Sequence, residues 1–226
     1  MVNLYNNITI RRITLMESTG VVGGIYKVCE WIMKLAYINI LWGLFSLLGL
    51  VIFGFFPATV AMFTLIRKLL SNEDVPTFRT FWTTYKKEFK KSNSLGLVLV
   101  IIGFIFYIDL EFLRQSTGFL HLLYIPFLIM SLVYILIVLY IFPVYVHYDL
   151  KLLQVIKNAF FIMLLYPIYT IIAILISLVA LYLMIKIPSL IVLFSGSIFS
   201  LIIMSCANLS FNKNDEKLQK SVQKVY

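Results

Sequence analysis

Residues 35–66 read LAYINILWGLFSLLGLVIFGFFPATVAMFTLI, 32 consecutive positions without a formal charge. A helix rises about 1.5 Å per residue, so about 20 apolar residues cross a hydrocarbon core of about 30 Å. The run is too long for one crossing and short for a comfortable pair. Pro57 is the natural divider, because it lacks an N–H and is best tolerated in the first turn of a helix. The reading is a span over 35–56, then a helix over 58–70 that lies at the membrane interface or re-enters it.

Working outward, the rest of the chain has the same character. Hydrophobic residues make up 62% of it and charged residues 13%, against about half and a quarter in soluble domains. A chain of 226 residues cannot hide that much apolar surface from water, so its solvent is lipid. Further low-charge runs give spans of about 92–108, 120–142, 162–185 and 188–208. Pro126 falls in the early turns of the third, Pro143 ends it, and Lys186-Ile187-Pro188 turns the chain between the last two. The expected fold is all-α: a polytopic membrane bundle of five transmembrane helices, with amphipathic helices at the cytoplasmic interface. Residues 1–34 form a tail and interfacial segment, 35–212 the membrane domain, and 213–226 a basic cytoplasmic tail. A faint echo joins Phe56-Pro57 to Phe142-Pro143, each ending a span before a polar linker, as a parallel two-plus-two repeat with a fifth helix appended would do; proline simply stopping helices at interfaces is the favoured explanation.

Charge sets the orientation. Seven of the nineteen Lys and Arg lie in 56–91: Arg67, Lys68, Arg79, Lys86, Lys87, Lys90 and Lys91. With that segment inside, five spans leave thirteen Lys and Arg inside and six outside, a positive-inside bias. The expectation is a multi-pass cell-membrane protein with its N-terminus out and its C-terminus in the cytoplasm. The net charge of +9 does not point to nucleic acid, since the cations flank apolar runs and no groove-reading motif accompanies them. Residues 1–15 carry Arg11 and Arg12 without a hydrophobic core, and Met1 and Met16 both stand as possible starts. Cys29 and Cys206 have no metal-binding or redox spacing and read as small apolar residues.

The segment 78–91 has its own pattern. Phe78, Phe81, Trp82, Tyr85 and Phe89 share one helical face, while Arg79, Lys86, Lys87 and Lys90 take the rest of the circumference. Thr77 is positioned as N-cap. Such a helix lies on an anionic inner leaflet, and aromatic and Arg side chains also suit a docking surface. Arg67, Arg79, Trp82, Lys86, Lys87 and Lys90 are therefore the candidate contacts for lipid or a partner.

No nucleophile elbow, zinc motif or phosphate-binding loop occurs. His121 and His147 stand near opposite ends of one span and read as interfacial. Asp109 and Glu111 do not share a helix face, and no span holds a central acidic residue of the kind coupled transporters use. The expectation is no enzyme, no cofactor and no metal. Asn39 reads as a hydrogen bond between helices, and Gly43, Gly49 and Gly54 as close helix packing.

Several strings carry a family resemblance: GIYKVCEWIMK at 24–34, AYINILW at 36–42, GFFPAT at 54–59, Arg67-Lys68, VPTFRTFW at 75–82, Phe89, and more weakly IKNAF at 156–160. On these the chain resembles the YesL family of bacterial integral membrane proteins. The resemblance marks Asn39, Pro57, Ala58, Thr59, Phe78, Phe81, Lys157 and Asn158 as structural motif positions. It implies an accessory or regulatory role in carbohydrate uptake or sensing, beside a sugar permease or a sensor kinase. The alternative is a small transporter or permease subunit for a carbohydrate or similar solute. Oligomeric state is not indicated.

Overall fold

The chain was analysed as a computed structural model that describes residues 21–148 and 150–223. Among these residues there is no strand, and eight helices follow in order: α1 (Val21–Leu48), α2 (Ile52–Leu70), α3 (Thr77–Gln115), α4 (Phe119–Leu122), α5 (Tyr124–His147), α6 (Leu152–Leu165), α7 (Pro167–Lys186) and α8 (Pro188–Gln223). Counting α4 and α5 as one, six of the described helices are long and apolar enough to cross a membrane. The all-α polytopic bundle read from the sequence is the fold, with six such helices in place of five. The alternative starts Met1 and Met16, with Arg11 and Arg12, lie outside the described residues.

The sixth helix comes from the 35–66 run, which breaks at residues 49–51 and not at Pro57. Leu50 and Val51 take φ of 56° and 63°, a conformation that is an outlier for a β-branched residue. The turn is held by Val51 N–H donating to Ser46 O at 2.9 Å and Ile52 N–H to Leu50 O at 2.7 Å. Glycine lets the two helices meet behind it. A Cβ on Gly49 would collide with the Gly54 backbone, and one on Gly54 would come within 2.5 Å of Ser46 O. Gly43, by contrast, faces open space.

Pro57 sits inside α2, where it would normally cost about 3 kcal/mol. The carbonyl its missing N–H would have satisfied is that of Phe53, four residues back. Asn93 of α3 donates to that carbonyl through Nδ2 at 2.9 Å. A side chain from the neighbouring helix thus replaces the backbone donor, and α2 runs on to Leu70. More than half of α2 is buried, with Ala58, Ala61 and Ile66 wholly so. It packs against α1, α3, α5 and α8 as the centre of the bundle, and the expected interfacial helix over 58–70 is corrected accordingly.

The hairpin begins and ends at one end of the molecule, where Lys34 Nζ lies 2.7 Å from Glu30 and 3.5 Å from Asp74 of the α2–α3 connection. α3 is one unbroken helix of 39 residues, about 58 Å long. Its charged first half runs beside the hairpin, reaching Gly49–Gly54 near Tyr85 and Asn93. Its second half, charge-free from Ser92 to Ile108, continues beyond the tip and exposes Leu97, Ile101, Phe104 and Ile108. Alongside that half runs α5, where Tyr134 O–H donates to Leu99 O at 2.6 Å.

Other boundaries also shift. Pro143 is buried within α5, which continues to His147. Phe63 and Phe142 stack at 5.7 Å across α2 and α5, so the two Phe-Pro pairs lie within helices and do not end spans. Pro76, not Thr77, is the N-cap residue of α3. Tyr166 divides the expected 162–185 span into α6 and α7, with Pro167 in the first turn of α7. The turn at Ile187 is where the sequence places it.

Candidate functional site

At the basic end of the bundle, α2, α3 and α5 leave between them a cavity of about 300 Å³. Each helix supplies polar groups because its hydrophobic stripe has run out at this level. From α2 come Thr64 and Arg67, one turn apart; from α3, Thr84, Lys87, Glu88 and Lys91, spaced along one face; from α5, Tyr145 and His147.

Arg67 is fixed in place. Its Nη1 donates to Val146 O at 2.6 Å, one of the last carbonyls of α5, where a cation is electrostatically favoured. Glu88 is the cavity's carboxylate. It accepts from Tyr145 O–H at 2.6 Å and lies 3.8 Å from Lys87 Nζ. Lys91 sits over the Tyr145 ring, 5.1 Å from its centre. Arg67, Lys87 and Lys91 thus share the cavity wall with Glu88, the Lys87 side chain reaching outward into the open. His147 packs its ring on Tyr148 at 4.6 Å and on Phe211 of α8 at 4.4 Å. Its Nδ1 is buried without a hydrogen-bond partner among the described residues. Just past α5, burial pushes the Tyr148 phenol above its usual range, and the Asp215 carboxylate adds to the shift. Among the described residues no group of three or more His, Cys, Asp or Glu side chains is placed to hold a metal ion.

The residues singled out in the sequence separate into three places. Arg67 and Lys87 line the cavity. Arg79, Trp82, Lys86 and Lys90 lie on the outer side of α3, exposed, with Lys86 Nζ 4.1 Å above the Trp82 ring. The aromatic face of this helix does not rest on lipid as a separate element. It closes on Phe45 of α1, whose ring lies 5.2 Å from Phe81, 5.3 Å from Trp82, 5.2 Å from Tyr85 and 6.4 Å from Phe78. Phe81 and Tyr85 are buried, while Phe78 is half exposed. Large rings gain more from a protein groove that covers both faces than from the edge of a bilayer.

The motif positions are structural in the main. Asn39 is 4% exposed and joins α1 to α8, donating to Val192 O at 2.9 Å and accepting from Ser197 N–H at 3.1 Å. Thr59 accepts from Trp42 Nε1 at 3.1 Å, and Pro57 and Ala58 fill the core beside it. Lys157 and Asn158 lie on α6, outside the cavity, with Lys157 Nζ 5.9 Å from the Phe161 ring centre. His121 stacks on Tyr124 at the far end of α5. Sequence reasoning missed Glu88, Lys91, Tyr145 and His147 as a group. Their only common signal is that each falls within a turn or two of where an apolar run meets charge.

Residues 35–110 match the family model described as a protein of unknown function, DUF624. The chain is 39% identical to the uncharacterized protein YteU of Bacillus subtilis over 82% of its length and 84% of that protein. It is 37% identical to YesL of the same organism over 89% of this chain and 96% of YesL, and 37% identical to YesV over 87% and 96%. No solved structure matches. With likeness of this extent running through nearly all of both chains, the protein belongs to the YesL-like family of unknown function that carries the DUF624 domain.

Proposed function

We propose that the protein is an accessory or regulatory membrane component with no catalytic activity of its own, working by contact with a membrane partner at its basic end. The observation that supports this is the outer ridge of α3. Arg79, Lys86 and Lys90 stand exposed there beside the half-exposed Phe78 and the Trp82 edge. Packing of Phe81 and Tyr85 into the core fixes the helix beneath the ridge, so the exposed side chains are presented on a rigid support. Rigid aromatic and cationic anchors of this kind dominate the energetics of protein contacts. The link to carbohydrate uptake or sensing, through a sugar permease or a sensor kinase in the bacterial cell membrane, rests on the family resemblance.

The test is a photo-crosslinking amino acid at position 82 in membranes from the native host. Recovery of a sugar permease or sensor kinase is expected, and Lys86→Glu with Lys90→Glu should reduce it about tenfold without changing membrane insertion. Specific sugar flux by the purified protein alone in proteoliposomes would replace this reading with the transporter one.

A further inference from the structure

We propose that the cleft between α5, α7 and α8 is a seat for one acyl chain of a bilayer phospholipid. The inference concerns the opposite part of the bundle from the outer ridge of α3 and does not depend on a partner docked there.

The cleft arises from how α7 is held. This helix packs along α8 and barely on α5. Its link to α5 is Thr170, whose Oγ1 donates to the Tyr140 hydroxyl oxygen at 3.0 Å. From there the lining follows α7 for three turns to Leu181, while α5 contributes only Leu139 and Tyr140. The two helices therefore part beyond the bond and leave a wedge open at the side. Ala173 and Ser177 are the small side chains along its middle, and Phe199 and Ile203 of α8 form its floor. The two hydroxyls at its base are satisfied by each other, so an apolar guest leaves neither without a partner.

Depth and size choose the occupant. The stretch from Thr170 to Leu181 lies between two tyrosines, each with a lysine beside it. Lys213 Nζ is 5.2 Å from the ring centre of Tyr169, and Lys186 Nζ is 5.6 Å from that of Tyr182. Tyrosine and lysine at both ends of an apolar stretch mark the two faces of a bilayer, which puts the cleft at the depth of the hydrocarbon. Its volume is about 330 Å³, and its length along α7 about 16 Å. A helix of that length and about 10 Å across fills more than about 1,000 Å³, and a stable protein interface needs about 800 Å² from each partner. The wedge is too narrow for either and suits a single flexible chain. The near end of the bundle gathers the cations that complement a phosphate, so the headgroup lies beside Tyr169 and Lys213 and the chain runs toward Leu181.

The experiment uses the full chain in phospholipid vesicles containing a trace of phosphatidylglycerol with a diazirine midway along one acyl chain. After illumination, the labelled positions are mapped by peptide mass spectrometry. Labelling should concentrate at residues 174–181 and 199–203, well above that at Leu97, Ile101 and Phe104 on the open face of α3. Ser177→Phe should cut labelling in the cleft about fivefold or more, because close-packed space is not shared. Ser177→Leu is the second variant if the phenylalanine prevents folding. Val179→Phe, on the exposed side of α7, should label as wild type. Equal labelling of all exposed apolar faces, or labelling in the cleft unchanged by both Ser177 variants, would overturn the proposal. So would cross-linking of Leu178→Cys to a second protein chain in place of lipid labelling, which would give the cleft to a helix.

Discussion

Asn93 and Pro57 form a pair that neither residue type suggests alone. Proline withholds a donor from the Phe53 carbonyl and asparagine supplies one from another helix. Replacing Asn93 with leucine should leave that carbonyl unsatisfied and cost about 1–3 kcal/mol. In a Pro57→Ala background the restored backbone N–H should reach Phe53 O, so the same Asn93→Leu change should cost about 1 kcal/mol less. Thermal unfolding of the four proteins in detergent measures the cycle, and equal losses in the two backgrounds would break the link. In the sequence Pro57 was visible and Asn93 was not, because a proline advertises its missing donor while the compensating group can come from anywhere in space. Asn39 was legible for the converse reason: a strong polar side chain inside an apolar run has few places to go but another helix.

Among the elements, the α1–α2 hairpin departs furthest from what the sequence alone suggests. Charge counting cannot see a turn made of Gly-Leu-Val, since apolar residues at a loop are the mark of a strand or span and not of a reversal. What forces the turn is the contact of Gly49 with Gly54, a packing fact that appears only when both helices are present. Gly54→Ala should therefore cost about 1–3 kcal/mol through overpacking, or prevent assembly. Gly43→Ala should be neutral or gain up to about 1 kcal/mol from helix propensity. Fluorescence-detected gel filtration after heating compares the two; similar behaviour of both variants would show that the glycine contact does not hold the hairpin. The 78–91 helix was read correctly as amphipathic, but periodicity gives a face without saying what covers it. Phe45, 33 residues upstream of Phe78, could not be inferred as the cover.

For the whole molecule the hairpin changes parity. Because Lys34 of α1 meets Asp74 at the end where α2 finishes and α3 begins, the described helices would make an even number of crossings whether or not the hairpin reaches the far side. Among the described residues, assigning each segment to the helix end it adjoins leaves Arg114 and Lys186 at the far end and the other fourteen Lys and Arg at the near one. That is a stronger positive-inside distribution than thirteen against six. Reporters fused to the N- and C-termini should both report the cytoplasm; opposite sides would restore the five-span topology. The cavity follows the same logic of scale. Arg67 and Lys87 could be picked from the sequence by charge, but that they share a space with Tyr145 and His147 depends on α2 standing upright at the centre of the bundle.

The hairpin's bare apolar tip also bears on how the protein is made. Lys27, Glu30 and Lys34 mark one leg near its open end, and Arg67 and Lys68 the other, while residues 47–53 carry no charge. Moving a Lys or Arg through the centre of a bilayer costs about 2.5–3.5 kcal/mol on insertion scales, and here no such residue has to cross. The two legs can therefore leave the insertion machinery together, tip first, once synthesis has passed Leu70. A nascent chain stalled before that point would hold α1 without the partner whose glycine it must meet.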